Sequence, residues 1–120
     1  DWDAAGMNLA IHEFAHKLDM RNGVANGCPP LPAEMPPNVW KKTMLAAFEH
    51  FQARVDRGER TAIDPYAAES PAEFFAVLSE VFFVDPRLLC QEYPRVYEQF
   101  ARFYRQEPAA RAKLLRDEQG

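Results

Sequence analysis

Apolar residues in this chain recur at intervals of three and four over long stretches, and nowhere alternate over the length of a strand. That interval is the 3.6-residue period of a helix with one buried face. Met7, Leu9, Ala10, Ile11, Phe14, Ala15 and Leu18 predict a first helix over about residues 5–19, stopped before Arg21-Asn22-Gly23, where Asn and Gly tolerate a left-handed backbone. Val39, Trp40, Met44, Leu45, Phe48, Phe51 and Val55 predict a second over about residues 39–56, with Asn38 as its cap. Ser70-Pro71, a capping residue followed by proline at the first helical position, opens a third that runs to about residue 84. A short segment over residues 87–92 and helices over about residues 95–106 and 109–117 complete the pattern. Thr61-Ala62-Ile63 is at most a short extended piece, so the expected fold class is mainly α.

Residues 23–37 break the pattern with two glycines and five prolines, Pro29, Pro30, Pro32, Pro36 and Pro37, and so predict a long surface loop. A structureless loop of that length inside a compact domain is usually functional.

Composition narrows the classes of function. A chain of 120 residues with 48% hydrophobic and 27% charged residues is one domain's worth of folding material, not a disordered tail. No run approaches the roughly 18–20 apolar residues that a membrane helix needs. A net charge of −4, without a basic stripe, gives no footprint for nucleic acid or an anionic membrane surface. Cys28 and Cys90 lie far apart and outside any CxxC pair, which argues for reduced thiols and against a zinc-finger site.

Within the first predicted helix lies His12-Glu13-Phe14-Ala15-His16, an HExxH sequence. Residues four apart share one helical face, with Cβ atoms about 5–6 Å apart, so both imidazoles reach one metal ion and Glu13 stands at the edge of the same site. Zn2+ suits neutral imidazole, and with three protein ligands it keeps an open position where a water's pKa falls towards about 7. Glu13 is then the candidate general base. A chance match would leave His12 and His16 as hydrogen-bonded core histidines, but the small Ala15 beside them leaves room for an ion.

The third ligand lies elsewhere, because Asp19 and Asn22 occupy the positions where HExxHxxGxxH requires Gly and His. Glu73 is the strongest candidate, in the first turn of the third helix, and a His, His, Glu set is a known catalytic arrangement for zinc. Ser70-x-x-Glu73 is equally a capping box, and spacing alone leaves both readings open. Asp64, Glu69, Glu80 and His50 are rivals. Asp19 and Glu80 are the candidates to accept the other ring N–H of a ligating histidine. His50, beside Phe48 and Phe51, reads as packing or surface, and the Phe74-Phe75 and Phe82-Phe83 pairs read as core.

The blocks Asn8-Leu9-Ala10-Ile11-His12-Glu13-Phe14-Ala15-His16-Lys17-Leu18-Asp19 and Tyr66-Ala67-Ala68-Glu69-Ser70-Pro71-Ala72-Glu73-Phe74-Phe75-Ala76-Val77-Leu78-Ser79-Glu80 resemble the Mlc titration factor A family of bacterial zinc peptidases. The second block is also similar to the third-ligand region of the catalytic domain of anthrax lethal factor. The resemblance implies that Glu73 is the third ligand and that Tyr66 is a catalytic tyrosine donating to a developing oxyanion. In one respect the chain departs from gluzincins of the thermolysin type: the position four after the glutamate ligand, acidic there, is Val77 here.

The resemblance further implies aminopeptidase-like hydrolysis of peptide substrates, association with the repressor Mlc, and a cytoplasmic bacterial protein. It also implies that residues 1–120 are the helical, metal-binding part of a zincin-like α+β metallopeptidase domain. The sheet would then lie upstream of Asp1, and the chain would be a C-terminal fragment of a longer protein. The other reading is a regulatory module that sequesters a transcription factor around a structural or vestigial metal site. HExxH by itself specifies activated water, not the acyl group it attacks.

Overall fold

A computed structural model describes residues 2–106 and Pro108. The described residues form five α-helices: α1 (Trp2–Asp19), α2 (Pro37–Asp56), α3 (Pro71–Val84), α4 (Pro86–Glu92) and α5 (Pro94–Tyr104). Short 3-10 turns at Met20–Asn22 and Pro65–Ala68 join them, and no strand occurs among the described residues. The mainly helical expectation holds, and Thr61-Ala62-Ile63 forms no strand. None of these helices is long and apolar enough to cross a membrane.

Proline punctuates this fold at its joints. Pro37, Pro71, Pro86 and Pro94 each open a helix, and Pro65 opens the second 3-10 turn. At a helix's first position proline gives up an N–H that has no intrahelical partner, and its fixed φ is already helical. This moves three boundaries from their expected places. α2 starts at Pro37 with Pro36 in the cap position and no side-chain cap bond, so Asn38 is inside the helix and is not its cap. α4 and α5 likewise begin at the proline ahead of the expected residue. α1 starts earlier than the apolar period suggests, at Trp2, and α5 ends at Tyr104, where Arg105 turns left-handed. The helix expected over residues 109–117 lies outside the described residues.

α3 is the hub. Phe74, Phe75, Ala76, Val77, Leu78, Ser79 and Phe82 are all buried, which is the all-round apolar character of a central helix. It packs on α1, α2, α4, α5 and the Pro65–Ala68 turn. Aromatic rings fill its contact with α5 and α2: Phe75 meets Phe100 at 5.6 Å and Trp40 at 5.9 Å between ring centroids. The expected core reading of the phenylalanine pairs holds for Phe74, Phe75 and Phe82, whereas Phe83 is 37% exposed.

Inside this seam, Tyr104 shares a 2.8 Å hydrogen bond with the Ser79 hydroxyl. Burial pushes its phenol up to about 12, although the bond to Ser79 pulls the other way. The unfolded phenol titrates near 10, so between about pH 10 and 12 the folded chain holds a proton that the unfolded chain has lost, and stability falls as pH rises. Over that window the expected loss is about 3 kcal/mol relative to Tyr104→Phe, at roughly 1.4 kcal/mol for each tenfold difference in proton affinity between the folded and unfolded phenol. Denaturant unfolding at pH 8, 10 and 12 measures it; parallel curves for the two proteins would refute it.

Candidate metal centre

α1 and α3 lie against each other with Ala15 at their contact, fully buried. The two histidines on the same stretch of α1 face α3. There His12 Nε2, His16 Nε2 and Glu73 Oε1 converge. His12 Nε2 and His16 Nε2 are 3.1 Å apart, and Glu73 Oε1 is 3.1 Å from the first and 2.8 Å from the second. These separations approach the roughly 3.3 Å edge of a tetrahedron built on zinc–ligand bonds of about 2.0–2.1 Å. The rings meet edge to face at 75°, each offering one nitrogen to the common point.

Glu73 is held from three sides. Its backbone N–H donates to Ser70 Oγ at 3.1 Å, which is half of the capping box. The reciprocal half is not made, because Glu73 Oε1 faces the imidazoles and Oε2 accepts the Tyr66 hydroxyl at 2.8 Å. Capping and clustering are therefore done by different atoms of one residue. Burial pushes the Glu73 carboxyl up, but the hydrogen bonds from Tyr66 and His16 outweigh it and hold the group below the ordinary carboxylate value. The same bond, with the charge of Glu73, raises the Tyr66 phenol, so it stays a donor.

Tyr66 reaches this point from the Pro65–Ala68 turn, whose cap Asp64 accepts the Tyr66 N–H at 3.0 Å. It remains 49% exposed, with its ring open to solvent. Glu13 is exposed on α1 and is not bonded into the cluster. Among the other candidates, Asp64 is occupied with its cap, Glu69 is exposed, and His50 pairs with the Tyr93 hydroxyl at 3.0 Å. Among the described residues, His12, His16 and Glu73 are the one group of three that could hold a metal ion.

The far side of His12 is also occupied. Its Nδ1 lies 2.6 Å from Glu80 Oε1, while its Nε2 is the atom turned towards His16 and Glu73. Burial raises the Glu80 carboxyl, while the bond from His12 pulls it down. Two imidazole nitrogens and a carboxylate oxygen aimed at one point make a set of ligand atoms of the kind that holds a dication. The donor chemistry fits zinc.

Asp19 departs from its expected role as a histidine's partner. It is fully buried, and Oδ2 accepts the Gly27 N–H at 2.7 Å, so a loop amide takes the place of the histidine ring. Where α1 ends, the long loop folds back over it and brings the Gly27 amide into reach. On its other side Gly27 O accepts Trp40 Nε1–H at 3.0 Å. Sequence reasoning misses this junction; the Asn26-Gly27 dipeptide, a signal of left-handed backbone, is the available pointer.

Comparison with known proteins gives these positions a lineage. Residues 1–105 match the family described as "Glucose-regulated metallo-peptidase M90". The chain is 51% identical over 113 residues to "Mlc titration factor A" of Edwardsiella ictaluri, an alignment covering 92% of this chain and 43% of that protein. It is 49% identical over 120 residues to the protein of that name from Serratia proteamaculans, covering 98% and 45%. Against the Yersinia pestis (strain Pestoides F) protein the figures are 50% over 115 residues, 93% and 42%. The chain thus spans less than half the length of these relatives. With a convergent His, His, Glu cluster inside the matched span, and half of all aligned residues shared with such relatives, the chain belongs to the glucose-regulated metallo-peptidase family.

Proposed function

We propose that these residues are the metal-carrying part of a zinc-dependent metallopeptidase domain, acting on peptides as an aminopeptidase in the bacterial cytoplasm. The observation that carries this is the meeting of His12 Nε2, His16 Nε2 and Glu73 Oε1 at separations of 2.8–3.1 Å. His12, His16 and Glu73 would hold zinc there, and its Lewis acidity would let a water lose its proton near neutral pH. Glu13, exposed beside the site, takes that proton as general base and returns it to the departing amine. Tyr66, whose hydroxyl rests on Glu73, turns its donor towards the carbonyl oxygen as negative charge develops there.

Titrating zinc into the wild type and Glu73→Ala tests this. A structural zinc site is worth roughly 10–16 kcal/mol, so one ligand is worth about 3 kcal/mol, and the variant should bind at least about a hundredfold more weakly. Undiminished zinc affinity in Glu73→Ala would remove Glu73 from the ligand set and reopen Asp64, Glu69 and Glu80.

A second reading is favoured by the name of the relatives, which ties them to Mlc. In that reading the domain sequesters a transcriptional repressor and its metal site is structural or vestigial. The two readings are compatible in one protein, and separating them requires a variant that loses chemistry but keeps shape.

A further inference from the structure

α3 sends two carboxylates to the same imidazole. Glu73 Oε1 lies 3.1 Å from His12 Nε2, and Glu80 Oε1 lies 2.6 Å from His12 Nδ1. Seven residues make about two helical turns, so Glu73 and Glu80 share one stripe of α3, turned towards α1. The intervening Val77, at the position where the thermolysin pattern carries an acid, is 3% exposed and forms part of the core wall. A carboxylate at position 77 would be drawn into that wall. At position 80 it stands beside the His12 ring, with 24% of its side chain exposed against 16% for His12.

We propose that Glu80 is the positioning residue of this centre: by accepting the His12 Nδ1–H it fixes the ring's tautomer and rotation and presents Nε2 as the ligand atom. The proposal rests on the metal-centre reading above and assigns the task to a residue one turn beyond its usual place. An imidazole without such a partner divides its proton between both nitrogens and rotates about χ2. Either movement removes the lone pair from the common point. Glu80 touches neither substrate nor ion in this role; it acts through His12.

Two measurements test it. Zinc affinity, from competition with a chromogenic chelator, should fall about 10–100-fold in Glu80→Ala. Glu80→Gln, whose amide oxygen still accepts the Nδ1–H, should recover most of the loss. Long-range 1H–15N NMR on the metal-free chain at pH 8 should place the His12 proton on Nδ1 in the wild type and shift it towards Nε2 in Glu80→Ala. A purely structural His–Glu pair would change stability without the rescue by glutamine.

The wild-type spectrum needs no variant, so the proposal remains testable even where Glu80→Ala fails to fold. A proton on Nε2 in the wild type overturns it, as does zinc affinity within threefold of wild type in Glu80→Ala. Those results leave the metal centre standing, whereas a wild type that binds no zinc overturns both.

Discussion

Glu13→Gln is expected to lower hydrolysis of an aminoacyl-p-nitroanilide by about 10²–10⁴-fold, the usual contribution of a positioned general base, while zinc affinity stays within about threefold of wild type. The expectation follows from where Glu13 stands. It is exposed, it is not bonded into the His12–His16–Glu73 cluster, and no buried partner among the described residues depends on its charge. Glutamine keeps the length and shape of the side chain and removes only its capacity to take a proton. The same variant separates catalysis from repressor binding. If the metal-loaded full-length protein and its Glu13→Gln form are equally inactive while both bind Mlc, the enzyme reading loses and the sequestration reading stands. If hydrolysis collapses while Mlc binding is unchanged, chemistry and regulation use different parts of one domain.

Much of this site is legible in one dimension because helices convert spacing into direction. The four-residue offset from His12 to His16 places both rings on one face whatever the rest of the chain does, and the structure finds their Nε2 atoms 3.1 Å apart. The meeting with Glu73 is different: it spans 57 positions from His16, and no period in the sequence measures how close α3 comes to α1. Ser70-x-x-Glu73 is ambiguous in sequence because capping uses the backbone N–H, leaving the carboxylate free for a second role. Asp19 and Glu80 are indistinguishable there as partners for a histidine, since both lie at helical offsets from the site. Asp19 goes instead to a loop amide, a contact decided by how a proline-rich segment without periodicity folds back. The start of α2 differs from expectation for a related reason: Asn38 has the chemistry of a cap, but Pro37 already supplies the first helical position.

That loop contact produces the largest expected effect on stability. Gly27→Ala should destabilise the chain by about 2–5 kcal/mol and weaken zinc binding as well. Gly27 holds φ at +80°, and a Cβ built there lies 2.6 Å from the Pro71 carbonyl oxygen and 3.0 Å from its carbon. Left-handed backbone costs a non-glycine residue about 1–2 kcal/mol, and forcing an extra methyl against packed atoms about 1–3 kcal/mol. The obstruction is backbone at the first turn of α3, so it cannot be relieved by a side-chain rotation. Moving Gly27 away strains its bonds to Asp19 and Trp40, and moving Pro71 displaces the helix end that carries Glu73 two residues later. Asp19 lies three residues beyond His16, so the same strain reaches both halves of the cluster.

Gly23→Ala is the control. Gly23 also has positive φ, at +97°, but nothing lies within 4 Å of its added Cβ, so it incurs the conformational cost alone, about 1–2 kcal/mol, and should leave zinc affinity unchanged. Denaturant unfolding and chelator competition on the two variants give the comparison. If they lose the same stability and bind zinc equally well, the contact between Gly27 and Pro71 does not set the spacing of α1 and α3, and the cluster is held by the α1–α3 packing around Ala15 alone.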